Sequence, residues 1–150
     1  MSTRALVERY AAALAAHAAA WYPRECCALL FRDGAGVIEL TLTDNLADHH
    51  HAADPEAFPR TATTAYVIDA RLVVRAEREG KALVAIIHSH VDVGAYFSDE
   101  DLRQATFDDG GRLAPLYPGV DYVVLDVRQG QLVGFEVFGW VEERRGFLAR

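Results

Sequence analysis

The stretch Ala82–His90 reads ALVAIIHSH and is the strongest strand signal in the chain. Its first six residues are apolar on both faces of an extended chain, which is typical of a central strand covered by helices on either side. Side chains of a strand alternate between its two faces, so His88 and His90 point to the same side if the strand continues through His90. The stretch therefore predicts a central strand that ends in two converging imidazoles.

Helices and short strands surround this central strand without a regular strand–helix–strand rhythm. Apolar residues at spacings of three and four predict a helix over residues 3–20. The other predicted elements are strands at 26–32, 36–43, 66–68, 121–128 and 131–140 and helices at 69–79 and 99–107. This order favours an α+β or mixed α/β class with a central, mostly antiparallel β-sheet flanked by helices. The length predicts one domain over residues 1–150.

The composition is that of an ordinary globular protein and excludes some partners. The 150 residues carry a formal net charge of −7, which repels a phosphate backbone, so no nucleic acid is expected as a partner. No run approaches the ~20 apolar residues of a membrane span, so no membrane is expected either. Cys26 and Cys27 are adjacent, which suits neither a disulfide framework nor a paired zinc motif, and a cytoplasmic location is the expectation.

Metal-ligating residue types cluster just after the central strand. His88 and His90 are followed by Ser98 and then by Asp101 in the first turn of the next predicted helix. The intervening loop can fold back so that Asp101 brings a carboxylate to the two imidazoles. Two histidine nitrogens and one carboxylate oxygen form a three-ligand set typical of catalytic zinc, with a fourth position left for water. Zinc lowers the pKa of such a water to about 7.

A zinc hydrolase also needs a group that takes and returns the proton of water. Glu25 is the candidate, because it begins the first predicted strand beside apolar residues that would bury it. Burial raises the pKa of a carboxyl toward the range in which it acts first as a base and then as an acid. Ser98 is the candidate hydrogen-bond donor to the developing oxyanion.

At these residues the chain resembles the JAMM metallopeptidases, the metal-binding branch of the MPN domains. The order Glu25, His88-Ser89-His90, seven residues, Ser98, two residues, Asp101 matches the signature of that family. The stretch PRECCALLF is similar to the family's Pro-x-Glu-x-Cys-Gly-Leu-Leu, and Asn45 stands where the family often has Asn. The resemblance extends from the N-terminal helix to Trp140 and is that of a minimal prokaryotic member without long insertions.

The resemblance implies a fold, a cofactor and a reaction. The fold would be MPN-like, with a cytidine-deaminase-like architecture. One zinc ion per chain would be held by His88, His90 and Asp101, with Glu25 as general acid and base and Ser98 stabilising the tetrahedral intermediate. The substrate would be an amide at the C-terminal tail of a ubiquitin-like or sulfur-carrier protein. A homodimer is compatible with the resemblance.

Departures from the family pattern leave alternatives open. Ala28, Val91 and Phe97 stand where the family often has Gly, Pro and Pro, but none of them is a ligand. A noncatalytic MPN scaffold that pairs with another subunit would lack a ligand, whereas here every ligand position is filled. A zinc hydrolase that acts on a small amide, or on a cysteine adduct of a carrier protein, stays open as well.

Three further features have readings that need no catalysis. Ser98 and Asp101 have the spacing of a helix capping box, which is compatible with a ligand role because a cap fixes the helix start and so aims Asp101. The run His49–His51 lies in residues 44–64, which lack periodicity and predict a solvated loop, with substrate contact as the alternative. Cys26 and Cys27 are expected to be small buried residues rather than nucleophiles.

Overall fold

The computed structural model describes residues 1–150 and is built around a six-stranded sheet. The elements in chain order are α1 (Thr3–Arg9), α2 (Ala11–Trp21), β1 (Cys27–Arg32), β2 (Ile38–Thr43), α3 (Ala47–Ala53), α4 (Arg71–Arg78), β3 (Ala82–Val91), α5 (Asp99–Ala105), β4 (Thr106–Asp109), β5 (Arg112–Pro115), β6 (Asp121–Arg128), β7 (Gln131–Val141) and β8 (Gly146–Ala149). The sheet has the order β2-β1-β3-β6-β7-β8, and β4 and β5 form a separate hairpin. Only β3 and β6 pair in parallel, so the predicted class and the mostly antiparallel sheet are confirmed.

The predicted central strand lies inside the sheet, between β1 and β6. Ala85 and Ile87 pack on one face with apolar residues of α1 and α2. Ile86 packs on the other face with residues of α4 and α5. The strand continues to Val91, so His88 and His90 share the face of Ile86, as the alternation requires. Helices cover both faces, which explains why the stretch has no polar side.

The N-terminal helix is two helices rather than the single predicted one. Tyr10 interrupts the helix with φ −99° and ψ 12°. Its amide donates to the carbonyls of both Leu6 and Val7. The Tyr10 hydroxyl donates to the carbonyl of Ile38. The spacing of buried apolar residues continues across the break, because Leu6 and Leu14 belong to the same core cluster. The spacing therefore identified the buried face but not the kink.

The prediction of a loop for all of residues 44–64 is wrong at the histidine run. His49–His51 lie in the short helix α3. Contacts from outside the helix hold it: the Asp48 carboxylate accepts from the amide of Ala62 at 2.7 Å, and His51 Nδ1 lies 2.7 Å from the carbonyl of Phe58. Ala62 and Phe58 lie outside α3 in the sequence, so the hydrophobic periodicity of residues 47–53 does not predict the helix.

The predicted strand at residues 66–68 is also wrong. The amide of Val67 donates to the Asn45 side chain, and its carbonyl accepts from the amide of Leu46. Val67 therefore forms hydrogen bonds with Asn45 and Leu46 rather than with a neighbouring strand. Its apolar side chains are explained by packing, since Tyr66 joins the core cluster on the α4 side of the sheet.

The end of the chain contains strands that the sequence pattern missed. The helix predicted for residues 99–107 ends at Ala105, and residues 106–115 form the β4–β5 hairpin, with Gly110 and Gly111 at positive φ in its turn. β8 pairs with the end of β7 and buries Phe147. All three strands, β4, β5 and β8, have four residues, too few for alternation to stand out. No helix of the structure is long and apolar enough to cross a membrane.

Candidate metal centre

His88, His90 and Asp101 converge on one point at the end of β3. Their nearest ligand atoms all lie within 4.8 Å of one another, and all three residues are buried. The two Nε2 atoms are 3.3 Å apart, His88 Nε2 is 3.0 Å from Asp101 Oδ1, and His90 Nε2 is 3.1 Å from Asp101 Oδ2. The structure thus brings together the three residues that the sequence singled out as metal ligands.

The strand and a helix cap aim these side chains. The intervening Ser89 points to the opposite face, where its hydroxyl accepts from the amide of Cys26 at 2.7 Å. Ser98 caps α5, its hydroxyl accepting from the amide of Asp101 and its own amide donating to Asp101 Oδ2. The predicted capping box is therefore present. It turns the carboxylate of Asp101 back toward the end of β3.

Both ring nitrogens of His90 face oxygen acceptors, an arrangement that suits a bound cation. His90 Nδ1 lies 3.1 Å from the carbonyl of Gly94, which can only accept, so this nitrogen carries the ring proton. In the neutral ring Nε2 then has a lone pair and no proton, so it is an acceptor. It faces Asp101 Oδ2, which is also an acceptor. Two acceptors at this distance repel each other unless a proton or a metal ion lies between them.

The spacing of the three groups suits zinc. Two ligand atoms bound tetrahedrally at ~2.0–2.1 Å from zinc lie about 3.3 Å apart, close to the 3.0–3.3 Å separations found here. Burial lowers the pKa of His88 despite hydrogen bonding to Asp101, which favours the neutral imidazole that binds metal. Burial alone would raise the pKa of Asp101, but His88 and His90 hold it well below its ordinary value. The residues present therefore fit the metal that the family resemblance implies.

Glu25 lies beside this centre because of how β1 pairs with β3. Cys27 is opposite His88 in the antiparallel register, and the amide of Ser89 donates to the carbonyl of Cys26. Glu25 lies two residues before Cys27, and His90 lies two residues after His88, so the antiparallel register brings Glu25 to the level of His90. The Asn45 side chain donates at 2.9 Å to the carbonyls of Glu25 and Ala65, which fixes the backbone at this point.

The Glu25 carboxyl is poised to hold a proton. Its residue is only 5% exposed, and no side chain donates a hydrogen bond to it. Burial, and secondly the negative charge of Asp101, raise the pKa of Glu25 from 4.5 to about 9. The structure thus gives Glu25 the raised pKa that the sequence analysis expected of a buried general base.

A small cleft opens over these groups. It has a volume of about 130 Å³, and its walls include Glu25, His90 and Ser98 together with Arg60 and Tyr96. The Ser98 hydroxyl accepts from the amide of Asp101 in the cap, which leaves its own proton free to donate into the cleft. Glu25 and Ser98, the predicted catalytic residues, therefore line one space with His90, a predicted metal ligand.

Four residues support the site without having been assigned a role from sequence. The Tyr66 ring stacks on His88 with 4.1 Å between centroids and 15° between planes. Asn45 was noted only for its position, Arg60 not at all, and Asp92 only as part of a loop. Tyr66, Asn45 and Asp92 act through contacts across the fold, and Arg60 is placed at the cleft by its loop, so no spacing could have identified them. Cys26 and Cys27 are buried and unpaired, as predicted.

Asp92 anchors the loop that follows the two histidines. It has φ +60°, its carboxylate accepts from the Tyr22 hydroxyl at 2.7 Å and from the amide of Gln129 at 2.8 Å, and its amide donates to the carbonyl of Val127. Two residues later, the carbonyl of Gly94 accepts from His90. Asp92 therefore holds in place the acceptor that sets the tautomer of His90.

We expect Asp92→Ala to weaken zinc binding about tenfold, since groups that orient a metal ligand typically contribute 10–100-fold. Competition with a chromophoric chelator measures this affinity. Asp92→Gly, which is free of strain at positive φ, should show the same loss, while Tyr22→Phe removes one hydrogen bond and should show less. Unchanged affinity in both Asp92 variants would contradict the anchoring role.

Comparison with known proteins agrees with this architecture. Residues 7–125 match the family model of prokaryotic homologs of the JAB domain. No curated protein matches the chain. Among solved structures, the chain is similar to a Desulfitobacterium hafniense protein determined in solution, with 22% identity, 95% of this chain and 86% of that chain covered, and a TM-score of 0.58. A Salinibacter ruber protein, also determined in solution, has 24% identity, 93% and 83% coverage and a TM-score of 0.55. These two likenesses show a shared fold.

Proposed function

The chain belongs to the family of prokaryotic homologs of the JAB domain, and on that premise we propose that it is a zinc-dependent hydrolase of amide bonds. The substrate class that we propose is the C-terminal tail of a ubiquitin-like or sulfur-carrier protein. One observation carries the proposal: the buried group His88, His90 and Asp101 reaches, through His90, the cleft that Glu25 and Ser98 line. A scaffold would have no need of this combination.

His88, His90 and Asp101 would hold the zinc ion through Nε2, Nε2 and the carboxylate. When bound, zinc supplies Lewis acidity, which polarises an amide carbonyl and makes water more acidic. The remaining chemistry belongs to the side chains of this chain.

Glu25 moves the proton. Its carboxylate accepts a proton from the attacking water, whose oxygen forms the new bond to the scissile carbonyl carbon. The protonated Glu25 then donates this proton to the leaving nitrogen, so that the C–N bond breaks to give a carboxylic acid and an amine. The proton of the acid then passes to the amine, which leaves a carboxylate and an ammonium group. Burial raises the pKa of Glu25, so its protonated state is accessible, and the positive charge of a bound zinc ion would lower this pKa toward neutrality, so that the carboxylate is populated as well.

Ser98 and Tyr66 assist in different ways. The free hydroxyl proton of Ser98 donates to the oxyanion that forms on the carbonyl oxygen, and such a donor typically contributes 10²–10³-fold to the rate. Tyr66 stacks on His88 and keeps that ring in one plane. Its role is positioning, because it is not among the residues that line the cleft.

The reaction is tested with small β-grasp proteins that carry C-terminal extensions beyond a Gly-Gly end. We expect the zinc-loaded protein to remove the extension, seen as a loss of its mass in intact-protein mass spectrometry. A chelator should abolish cleavage and added zinc should restore it, because the acidity of the attacking water depends on zinc. A purified protein that holds no zinc and cleaves no member of the panel would favour the noncatalytic scaffold instead.

A further inference from the structure

Arg60 is a cation close enough to Glu25 and Glu100 to act on the pKa of each, but no salt bridge fixes it. It lines the cleft with Glu25, His90 and Ser98, yet it forms none of the ion pairs of the chain, and its one hydrogen bond is a long 3.4 Å contact to the carbonyl of Thr64. Its neighbour Arg103, by contrast, is paired with Glu100. The guanidinium of Arg60 is thus exposed and available to a ligand.

The surroundings of Arg60 favour a small anion. It is the one Lys or Arg among the residues that line the cleft, and Thr63, Thr64 and Ser98 add hydroxyl groups to the same walls. A water molecule in the liquid has a share of ~30 Å³, so the 130 Å³ of the cleft has room for about four waters. That space accepts one amino-acid residue but not a folded domain.

A carboxylate is the anion whose geometry a guanidinium matches best, through two parallel hydrogen bonds. In a peptide chain, the carboxylate nearest to an amide is the free α-carboxylate of a C-terminal residue. The metal that the proposed function requires would neutralise Asp101, so Arg60 is the charged side chain of the cleft walls that is left to bind such an anion.

We propose that Arg60 is a specificity-determining residue that binds the terminal α-carboxylate of the leaving residue, so that the protein removes a single amino acid from the C-terminus of its substrate. This inference rests on the proposed hydrolase function and deepens it. Hydrolysis adds one water across the amide, and the products are the shortened chain with a new carboxylate and a free amino acid whose own carboxylate faced Arg60.

The test uses two semisynthetic forms of a β-grasp carrier protein, each extended by one Ala beyond its Gly-Gly end. One form ends in a free carboxylate and the other in a carboxamide. The zinc-loaded protein should cleave the carboxylate form about tenfold faster at low substrate concentration, since charge-assisted hydrogen bonds favour the carboxylate and exposure to solvent limits the gain. The preference should fall as salt is added, because the pair is exposed to solvent.

Variants separate binding of the carboxylate from a structural role. Arg60→Gln should bring the rate ratio of the two forms close to one, chiefly by slowing cleavage of the carboxylate form, while Arg60→Lys should keep part of the preference. Arg75→Ala is the matched control, because it removes one exposed positive charge from α4, away from the cleft. The ratio should be unchanged in that variant.

The outcomes distinguish this inference from the proposed function. If the parent cleaves both forms equally, or if Arg60→Gln keeps the tenfold ratio, the inference is overturned while the hydrolase stands. If no form is cleaved, the hydrolase proposal fails, and equilibrium binding of the same two carrier proteins decides the role of Arg60. Tighter binding of the carboxylate form that disappears in Arg60→Gln then supports it, and equal binding overturns it.

Discussion

Glu25→Gln should keep its zinc and lose about 10²–10⁴-fold in the rate of amide hydrolysis, the range that a positioned acid and base contributes. The side chain keeps its size, but an amide can neither accept the proton of water nor return it to the leaving nitrogen. Zinc content by elemental analysis and turnover of an extended β-grasp protein measure the two halves of this result. Glu56→Gln, at an exposed position, is the matched control and should change neither.

Stability separates a catalytic Glu25 from a structural one. The pKa of Glu25 is raised from 4.5 to about 9 by burial and by Asp101, so the folded metal-free protein holds a proton that the unfolded chain releases above about pH 4.5. The free energy of unfolding therefore falls as the pH rises through this window. Glu25→Gln removes the dependence, and its metal-free form should melt at a higher temperature than the parent at pH 8. Equal turnover, or a lower melting temperature, would contradict the assignment of the base.

His88→Ala should abolish both zinc binding and hydrolysis. It removes one of three ligands, and since a partner that merely orients a ligand contributes 10–100-fold to metal affinity, loss of the ligand itself should exceed about 100-fold. Elemental analysis and a chelator competition measure the binding. His49→Ala is the matched control, because it deletes a histidine of the exposed face of α3 and should leave zinc and turnover unchanged.

The fully buried position of His88 requires a second variant, because Ala leaves a cavity there that lowers stability. Asp101→Asn keeps the size of the side chain and loses the negative charge that zinc requires. It should fold, as judged by cooperative thermal unfolding, and yet bind zinc far more weakly than the parent. A folded Asp101→Asn protein with full zinc content and full turnover would exclude the proposed ligand set.

Much of the fold could be read from the sequence where the pattern is local. The strand at Ala82–His90 and the pair at residues 121–140 follow from runs long enough to show burial on both faces or alternation. Their turn at Gln129-Gly130 has positive φ at both residues, as in the tightest hairpins. The four-residue strands of the β4–β5 hairpin and β8 are too short for such a pattern, which is why they were missed.

The errors in the middle of the chain have one physical origin. The helix at His49–His51 and the irregular backbone at residues 66–68 are both held through Asn45, whose side-chain oxygen Oδ1 accepts from the amides of Ala47 and Val67. One side chain thus replaces the backbone partners that a strand or a longer helix would supply. Propensity and periodicity measure only neighbours along the chain and contain no signal for such a partner.

The sequence by itself determined the family and the two imidazoles on one face of β3, because strand alternation is a property of neighbouring residues. It also determined the cap that aims Asp101, because a capping box closes within four residues. Only the tertiary structure decided what stands around that centre. The register of β1 against β3 brings Glu25 to the level of His90, and Arg60 and Asp92 reach the site through loops fixed by distant contacts. Hydrogen bonds and packing across the fold set these positions, and they have no period along the chain.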